Sequence, residues 1–358
     1  MKAKLAGGCA LVLALLIVAS AHHRAMAKDA GELVKLAEGV YAHIVQPDGN
    51  AVGNAGFVLL EHSVLVFDTH FTPEAGQALM AKLRTVTTKP VRYIINSHFH
   101  PDHTHGNQAF GGTPQIISSS NARRDMLQQD QPAMNRTVGV AQSQIAKMQK
   151  DLLQGQDEKQ KEMLRRQIRA RQEFLERMSK FKLQPAVITL DDSLTFLEGT
   201  RRLQLLYQGS GHTDGDVVLY LPSEKVVFTG DLFFNKAIPN VQDANMHAWI
   251  STLKEIQKLD ADKFVPGHGP VGTRKDLEAF LAYLEDLKSI VQTSVDRGDS
   301  LEQAIRDVQV PSRFATYSFP NFFPANVQKM YSELKALQTQ NPEPKEEKKP
   351  ETEKRETP

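Results

Sequence analysis

The chain has one cysteine in 358 residues, Cys9, and that residue lies in a segment patterned for removal. A mature chain without it has no disulfide to brace the fold, even in an oxidising compartment. Excess charge of either sign is also missing: 43 Lys and Arg stand against 42 Asp and Glu, so no basic footprint for nucleic acid is present. A long apolar run is lacking too, since Ala10–Val18 is short against the roughly 20 residues that span a bilayer. Lys2 and Lys4 precede this run, and Ala19-Ser20-Ala21 and Ala25-Met26-Ala27 follow it, which makes residues 1–27 an export leader with two candidate cleavage sites. Cys9 comes before the apolar run, the wrong side for lipid attachment. The expectation is a periplasmic or secreted protein with no stable membrane anchor once the leader is cut. What remains is ordinary globular material, with enough length for one large domain or two.

Three imidazoles and a carboxylate fall within Ser97-His98-Phe99-His100-Pro101-Asp102-His103, directly after the strand-like run Val91-Arg92-Tyr93-Ile94-Ile95. In extended backbone, residues i and i+2 point to the same side, so His98 and His100 can reach one ion. Pro101 breaks the extension and lets Asp102 and His103 turn toward a second position. Imidazole and carboxylate donors suit zinc, and with no thiol in the mature chain every metal ligand must be His, Asp or Glu. His43, His62, His70 and His247 have no partner spacing and read as surface or satisfied core histidines.

Ahead of this loop, Val40–Val45, Gly56–Leu60 and Val64–Phe67 read as strands. Thr72-Pro73-Glu74 opens a helix that buries Leu79, Met80 and Leu83. This order points to a layered α/β sandwich. Asp68, at the end of a strand, is placed to hold a ligand imidazole or to cap its turn. Residues 121–184 turn rich in Gln, Arg, Lys, Met and Glu. Ile145, Met148 and Leu152, then Leu164, Ile168, Leu175 and Met178, repeat at helical spacing on either side of Gly155, which predicts an inserted helical hairpin.

Strand patterns resume at 186–188, 194–196 and 203–207. Three strand-end sites follow, each a glycine beside a metal-ligand type: Gly211-His212, Thr229-Gly230-Asp231 and Pro266-Gly267-His268-Gly269. Helices are expected around Trp249, after Thr273 and over 326–337, and the Pro-, Glu- and Lys-rich tail 341–358 reads as disordered.

Taken together, these motifs resemble the metallo-β-lactamase superfamily of hydrolases over roughly residues 33–275. The resemblance implies an α/β fold, a four-layer αββα sandwich with the hairpin inserted and the metals at one edge between the sheets. The domain would cover 28–275, with C-terminal helices 276–340 packed on it. Residue by residue, it implies two zinc ions per chain: His98, His100 and His212 on one, Asp102, His103 and His268 on the other, with Asp231 bridging. Asp102 would also orient the nucleophile or relay a proton.

The stretch Ile238–Asn245 followed by Trp249 is similar to the one in secreted zinc β-lactamases where an asparagine, here Asn240, polarises the lactam carbonyl. Those enzymes carry a cysteine where this chain has Asp231 and a lysine where it has Phe234. Asp231 instead resembles the bridging aspartate of glyoxalase II, lactonase and phosphodiesterase relatives. The expected activity is hydrolysis of a small-molecule amide or ester such as a lactam, with a thioester or lactone as the alternative. An iron-dependent oxidoreductase on the same ligand set is a further alternative.

Overall fold

The computed structural model describes residues 31–46, 51–154 and 157–340. The leader with Cys9, the turn Pro47-Asp48-Gly49-Asn50, Gly155 and the tail 341–358 lie outside these residues. Seven strands lie side by side in chain order: β1 (Gly31–Ala37), β2 (Val40–Val45), β3 (Ala55–Leu59), β4 (Val64–Phe67), β5 (Val91–Ile95), β6 (Gln115–Ser119) and β7 (Ile188–Leu190). The second sheet holds β8 (Ser193–Glu198), β9 (Arg201–Leu206), β10 (Val218–Leu221), β11 (Val226–Phe234) and β12 (Lys263–His268), with β12 at the edge beside β11. The helices are α1 (Pro73–Val86), α2 (Pro101–Thr104), α3 (Ser120–Asp125), α4 (Gln131–Gln154), α5 (Glu158–Lys180), α6 (Met246–Ile256), α7 (Arg274–Asp296), α8 (Leu301–Asp307) and α9 (Phe323–Gln340).

Strand alternation explains the layers. In β4, Leu65 and Phe67 enter the core between the sheets, while Val64 and Val66 turn to the cluster containing Leu79 and Leu83 of α1. In β10, Leu219 and Leu221 face the first sheet, and Val218 and Tyr220 join the cluster under α6, α7 and α9. Each of these two strands thus serves two cores, and the result is helix, sheet, sheet, helix. Phe67 and Phe228 meet across the sheets with ring centroids 5.5 Å apart. Gly56 leaves room for Phe228, whose ring would lie 2.3 Å from a Cβ there. α1 starts as its sequence predicts, with the Thr72 hydroxyl accepting the Ala75 N–H at 3.1 Å and Pro73 in the first turn.

The insert forms two helices, α4 and α5, packed through Ile145, Met148, Leu164 and Ile168, with Leu152 and Leu175 beside them. Both ends of the insert are tied to the turn that follows the histidine loop: Asp130 meets His105 at 3.0 Å, and Gln108 bonds the backbone of Lys180 and Lys182. The strand expected at 186–188 is shifted to Ile188–Leu190. Val187 is 67% exposed at this sheet edge, where apolar content does not mark the start of the ladder. β1, β6 and α8 were not marked by the sequence pattern. β6 is a five-residue strand ending in two serines that are nonetheless buried.

Candidate metal centre

The seven residues come together at one end of the sandwich. β4 and β5 run parallel, as do β11 and β12, and the segments after β4 and β5, the second half of β11 and the end of β12 present side chains at the same edge; Asp231, expected at a strand end, lies within β11, which continues to Phe234. His98, His100, His212 and Asp231 offer donor atoms within 4.8 Å of one another, and so do Asp102, His103 and His268. Asp231 lies between the two groups. Its Oδ1 is 3.1 Å from His103 Nε2, and its Oδ2 is 3.2 Å from His212 Nε2, 3.4 Å from His268 Nε2 and 3.9 Å from His98 Nε2. Asp102 Oδ2 sits 3.3 Å from His268 Nε2.

Several of these atoms are buried without a hydrogen-bond partner among the described residues: Nε2 of His98, Nε2 of His103 and Oδ1 of Asp231. Leaving such groups unpaired costs about 1–3 kcal/mol each, more when charged. Their convergence on one space, with only nitrogen and carboxylate donors, fits a divalent ion such as zinc.

The far sides of the rings are held. Asp68 Oδ2 accepts from His103 Nδ1 at 2.8 Å and from the Ser97 hydroxyl at 2.8 Å, and Ser97 Oγ in turn meets His98 Nδ1 at 2.9 Å. One carboxylate therefore orients two imidazoles, as expected of a strand-end Asp in this place. His100 donates from Nε2 to Asp243 at 2.9 Å, which turns its Nδ1 toward His212 Nε2, also 2.9 Å away. His212 is set by packing on Trp249 (5.5 Å) and by its turn, in which Asp216 accepts from the N–H and hydroxyl of Thr213, each at 2.8 Å.

Burial opposes the charge of every group here, and the neighbours decide the outcome. For Asp231, burial would raise the pKa, but His268, His103 and His212 outweigh it and hold the carboxyl well below its ordinary value. Asp102 behaves likewise, against His103 and His268. His268 is lifted to about 9 because Asp231 and Asp102 overcome its burial. Burial wins at His212, which falls to about 3, and at His98, which falls well below its usual range.

Two approaches are too close for any side chain but hydrogen. A Cβ on Gly267 would lie 1.8 Å from Asp231 Oδ1, and one on Gly53 would lie 2.7 Å from His103 Nε2. The loop carrying Gly53 is pinned by His70, which donates from Nδ1 to the Gly53 carbonyl at 2.7 Å and meets His43 Nδ1 at Nε2, 2.8 Å away. Both rings are buried in the core and bond each other. Asn54 clips the sheets together, its amide donating to Pro266 and Gly269 carbonyls at 2.9 Å.

Asn240 is exposed, and its amide oxygen accepts the Gln242 N–H at 3.2 Å. On that loop the contact with the ligand cluster comes from Asp243, which sequence reasoning missed. A lone Asp 143 residues from His100 carries no spacing signal. Phe234 is buried and stacks on His268 at 5.0 Å with 16° between the rings.

Among known proteins, the family model described as "Metallo-beta-lactamase superfamily" matches residues 48–268. A linear primary-alkylsulfatase from a Pseudomonas species is 24% identical over 269 residues, 71% of this chain and 49% of the relative. A type 2 metallo-β-lactamase from Bacteroides fragilis is 35% identical over 92 residues, 24% of this chain and 37% of that enzyme. The chain thus aligns with half or less of the length of these curated relatives. Among solved structures, a metallo-β-lactamase from Pontibacter korlensis superposes with TM-score 0.52 at 20% identity, covering 71% of this chain and 99% of that one. FIM-1 from Pseudomonas aeruginosa, in its mono-zinc form, gives 0.52 at 18%, covering 72% and 95%. With its αββα layers, its ligand set at the sheet edge and a family match over more than half its length, the chain belongs to the metallo-β-lactamase superfamily.

Proposed function

We propose that this protein is an exported dinuclear zinc hydrolase that opens the amide or ester carbonyl of a small molecule, such as a lactam, lactone or thioester. The observation that carries this reading is Asp231, shared between two groups of nitrogen and carboxylate donors that together number seven residues. His98, His100 and His212 would hold one ion, Asp102, His103 and His268 the other, with Asp231 between them. Zinc held there would supply Lewis acidity and an acidified water at neutral pH.

The chain's own groups do the rest. Asp68 and Asp243 accept hydrogen bonds from the outward N–H groups of His103 and His100, which leaves the inward nitrogens of both rings to donate their lone pairs. Asp102 is anionic and 18% exposed in its side chain, which lets it orient a water at the rim or accept its proton. Asn240, on the exposed loop, is the candidate donor to the carbonyl oxygen. The Phe234 ring under His268 cannot pair with a substrate carboxylate, which favours a neutral ester, lactone or thioester over a carboxylate-bearing lactam.

A second reading, hydrolysis of an alkyl sulfate ester, draws support from the alkylsulfatase, whose similarity extends over 71% of this chain. Export rests on the leader-like residues 1–27.

The test is native purification of the exported protein, N-terminal sequencing, metal analysis, and assay of a chromogenic cephalosporin, a nitrophenyl ester, a lactone, a thioester and decyl sulfate. Two zincs per chain with turnover of a carbonyl substrate, abolished in His100→Ala, is the expected result. Turnover of decyl sulfate alone would transfer the assignment to the second reading. Bound iron without hydrolysis would point to an oxidoreductase, and absence of metal would overturn all of these.

A further inference from the structure

We infer that Phe319 and Phe322, backed by Phe234, form an apolar wall beside His268 that selects substrates with an extended aliphatic or aromatic group. The inference deepens the proposed reading of the site as a small-molecule hydrolase and rests on it. Phe319 and Phe322 come from a C-terminal strap that the motifs do not reach, and Phe234 ends β11. Ser318 bridges to Ala237, just beyond β11: its N–H donates to the Lys236 carbonyl and its carbonyl accepts the Ile238 N–H, both at 2.9 Å. The next residue, Phe319, has φ 60° and ψ 44°, in the left-handed region.

That conformation is rare for a bulky side chain. It is also unexpected in front of Pro320, because a proline biases the residue before it toward extended backbone. Glycine would take it freely, yet the chain places a phenylalanine there. The strain is held by the bridge on one side and by the Phe322 N–H donating to the Phe319 carbonyl at 3.0 Å on the other. Strained residues of this kind cluster at ligand-contacting sites.

The rings explain what the conformation achieves. Phe319 stands edge-on to His268, 6.3 Å away at 87°, and Phe322 lies 6.1 Å from Phe319. His268 is also stacked by Phe234. This metal-ligand candidate is therefore flanked by aromatic carbon, and both Phe319 and Phe322 are only half-buried, so each keeps a surface for a partner. Part of each ring packs on the large core beneath α6, α7 and α9. A purely structural Phe319 would need no strained backbone to do that. The occupant that fits is the apolar tail of a substrate whose scissile group lies at the Asp231 cluster.

The experiment compares the zinc-loaded wild-type protein with Phe319→Gly, Phe319→Leu and Phe322→Ala. Two readouts are used: kcat/KM for nitrophenyl octanoate against nitrophenyl acetate, and calorimetric binding of octanoate against acetate. In the wild type we expect octanoyl preference and tighter octanoate binding. In Phe319→Gly the preference ratio falls about tenfold or more as apolar contact is lost, and zinc content is retained. Phe319→Leu keeps most of the preference. If Phe319→Gly fails to fold, Phe322→Ala carries the same comparison. Equal use of both esters and equal binding of both acids by the wild type would overturn the inference, as would a ratio unchanged in the variants. Failure to cleave the nitrophenyl esters or any other carbonyl or sulfate substrate, with octanoate still bound more tightly and that margin lost in Phe319→Gly, would sink the hydrolytic reading while leaving the apolar wall standing.

Discussion

Asp243 and Asp216 each act on an imidazole without being part of the seven-residue cluster. Asp243 fixes the ring of His100 by accepting its Nε2 proton, so Asp243→Ala should weaken zinc binding about 10–100-fold, measured by competition with a chromophoric chelator. Asp216 holds the turn that projects His212. Burial pushes its carboxyl up from 3.8 to about 7, against the pull of the Thr213 N–H and hydroxyl. The folded state therefore keeps this proton to higher pH than the unfolded chain does. Its contribution is fully favourable below pH 4, is lost as pH rises through 7, and is constant thereafter. The shift corresponds to roughly 4 kcal/mol at most. Asp216→Asn should flatten this dependence, so thermal unfolding of the two proteins at pH 5 and pH 8 should show the variant gaining relative to the wild type at the higher pH. An identical slope in both would refute the assignment.

The insert is the element whose stability is most its own. α4 and α5 share a small cluster of four buried residues, separate from the sandwich cores, while their ends are tied to the turn after the histidine loop through His105 and Gln108. Ile168→Ala removes buried methyl groups from that cluster and should cost about 2–5 kcal/mol locally. Hydrogen exchange would detect it as faster exchange over α4 and α5, with β4, β5, β10 and β11 still protected. Uniform loss of protection would mean that the hairpin and the sandwich unfold as one unit.

Across the whole molecule, the C-terminal helices complete the outer layer of the second sheet. Trp249, Phe264, Phe280, Tyr283 and Leu287 are fully buried in one cluster that reaches α9. Tyr283 donates its hydroxyl to Asn326 Oδ1 at 2.9 Å, and the Asn326 amide donates to the Pro239 carbonyl on the loop that carries Asp243. The outer layer is thereby joined to the ligand cluster. Tyr283→Phe leaves a buried acceptor unpaired and should destabilise by about 1–3 kcal/mol, seen as a thermal midpoint lower by several degrees, with zinc stoichiometry intact.

The local pattern of residues by itself determined the strands Val40–Val45, Val64–Phe67 and Val91–Ile95, the start of α1, the two stripes of the hairpin, and the seven residues that gather at the sheet edge. Each of these depends on near neighbours: alternation along a strand, spacing along a helix, a glycine next to an Asp or His. What the tertiary structure decided depends on residues far apart in sequence. Nothing near Asp243 marks it as the partner of His100, and nothing near Phe319 announces a left-handed phenylalanine against His268, because both follow from where β11, its loop and the C-terminal strap cross. The tying of the insert to Gln108 and the clip made by Asn54 have the same origin. Periodicity records which face of an element is buried, while the pairing of polar groups between elements is settled only when the two sheets close on each other.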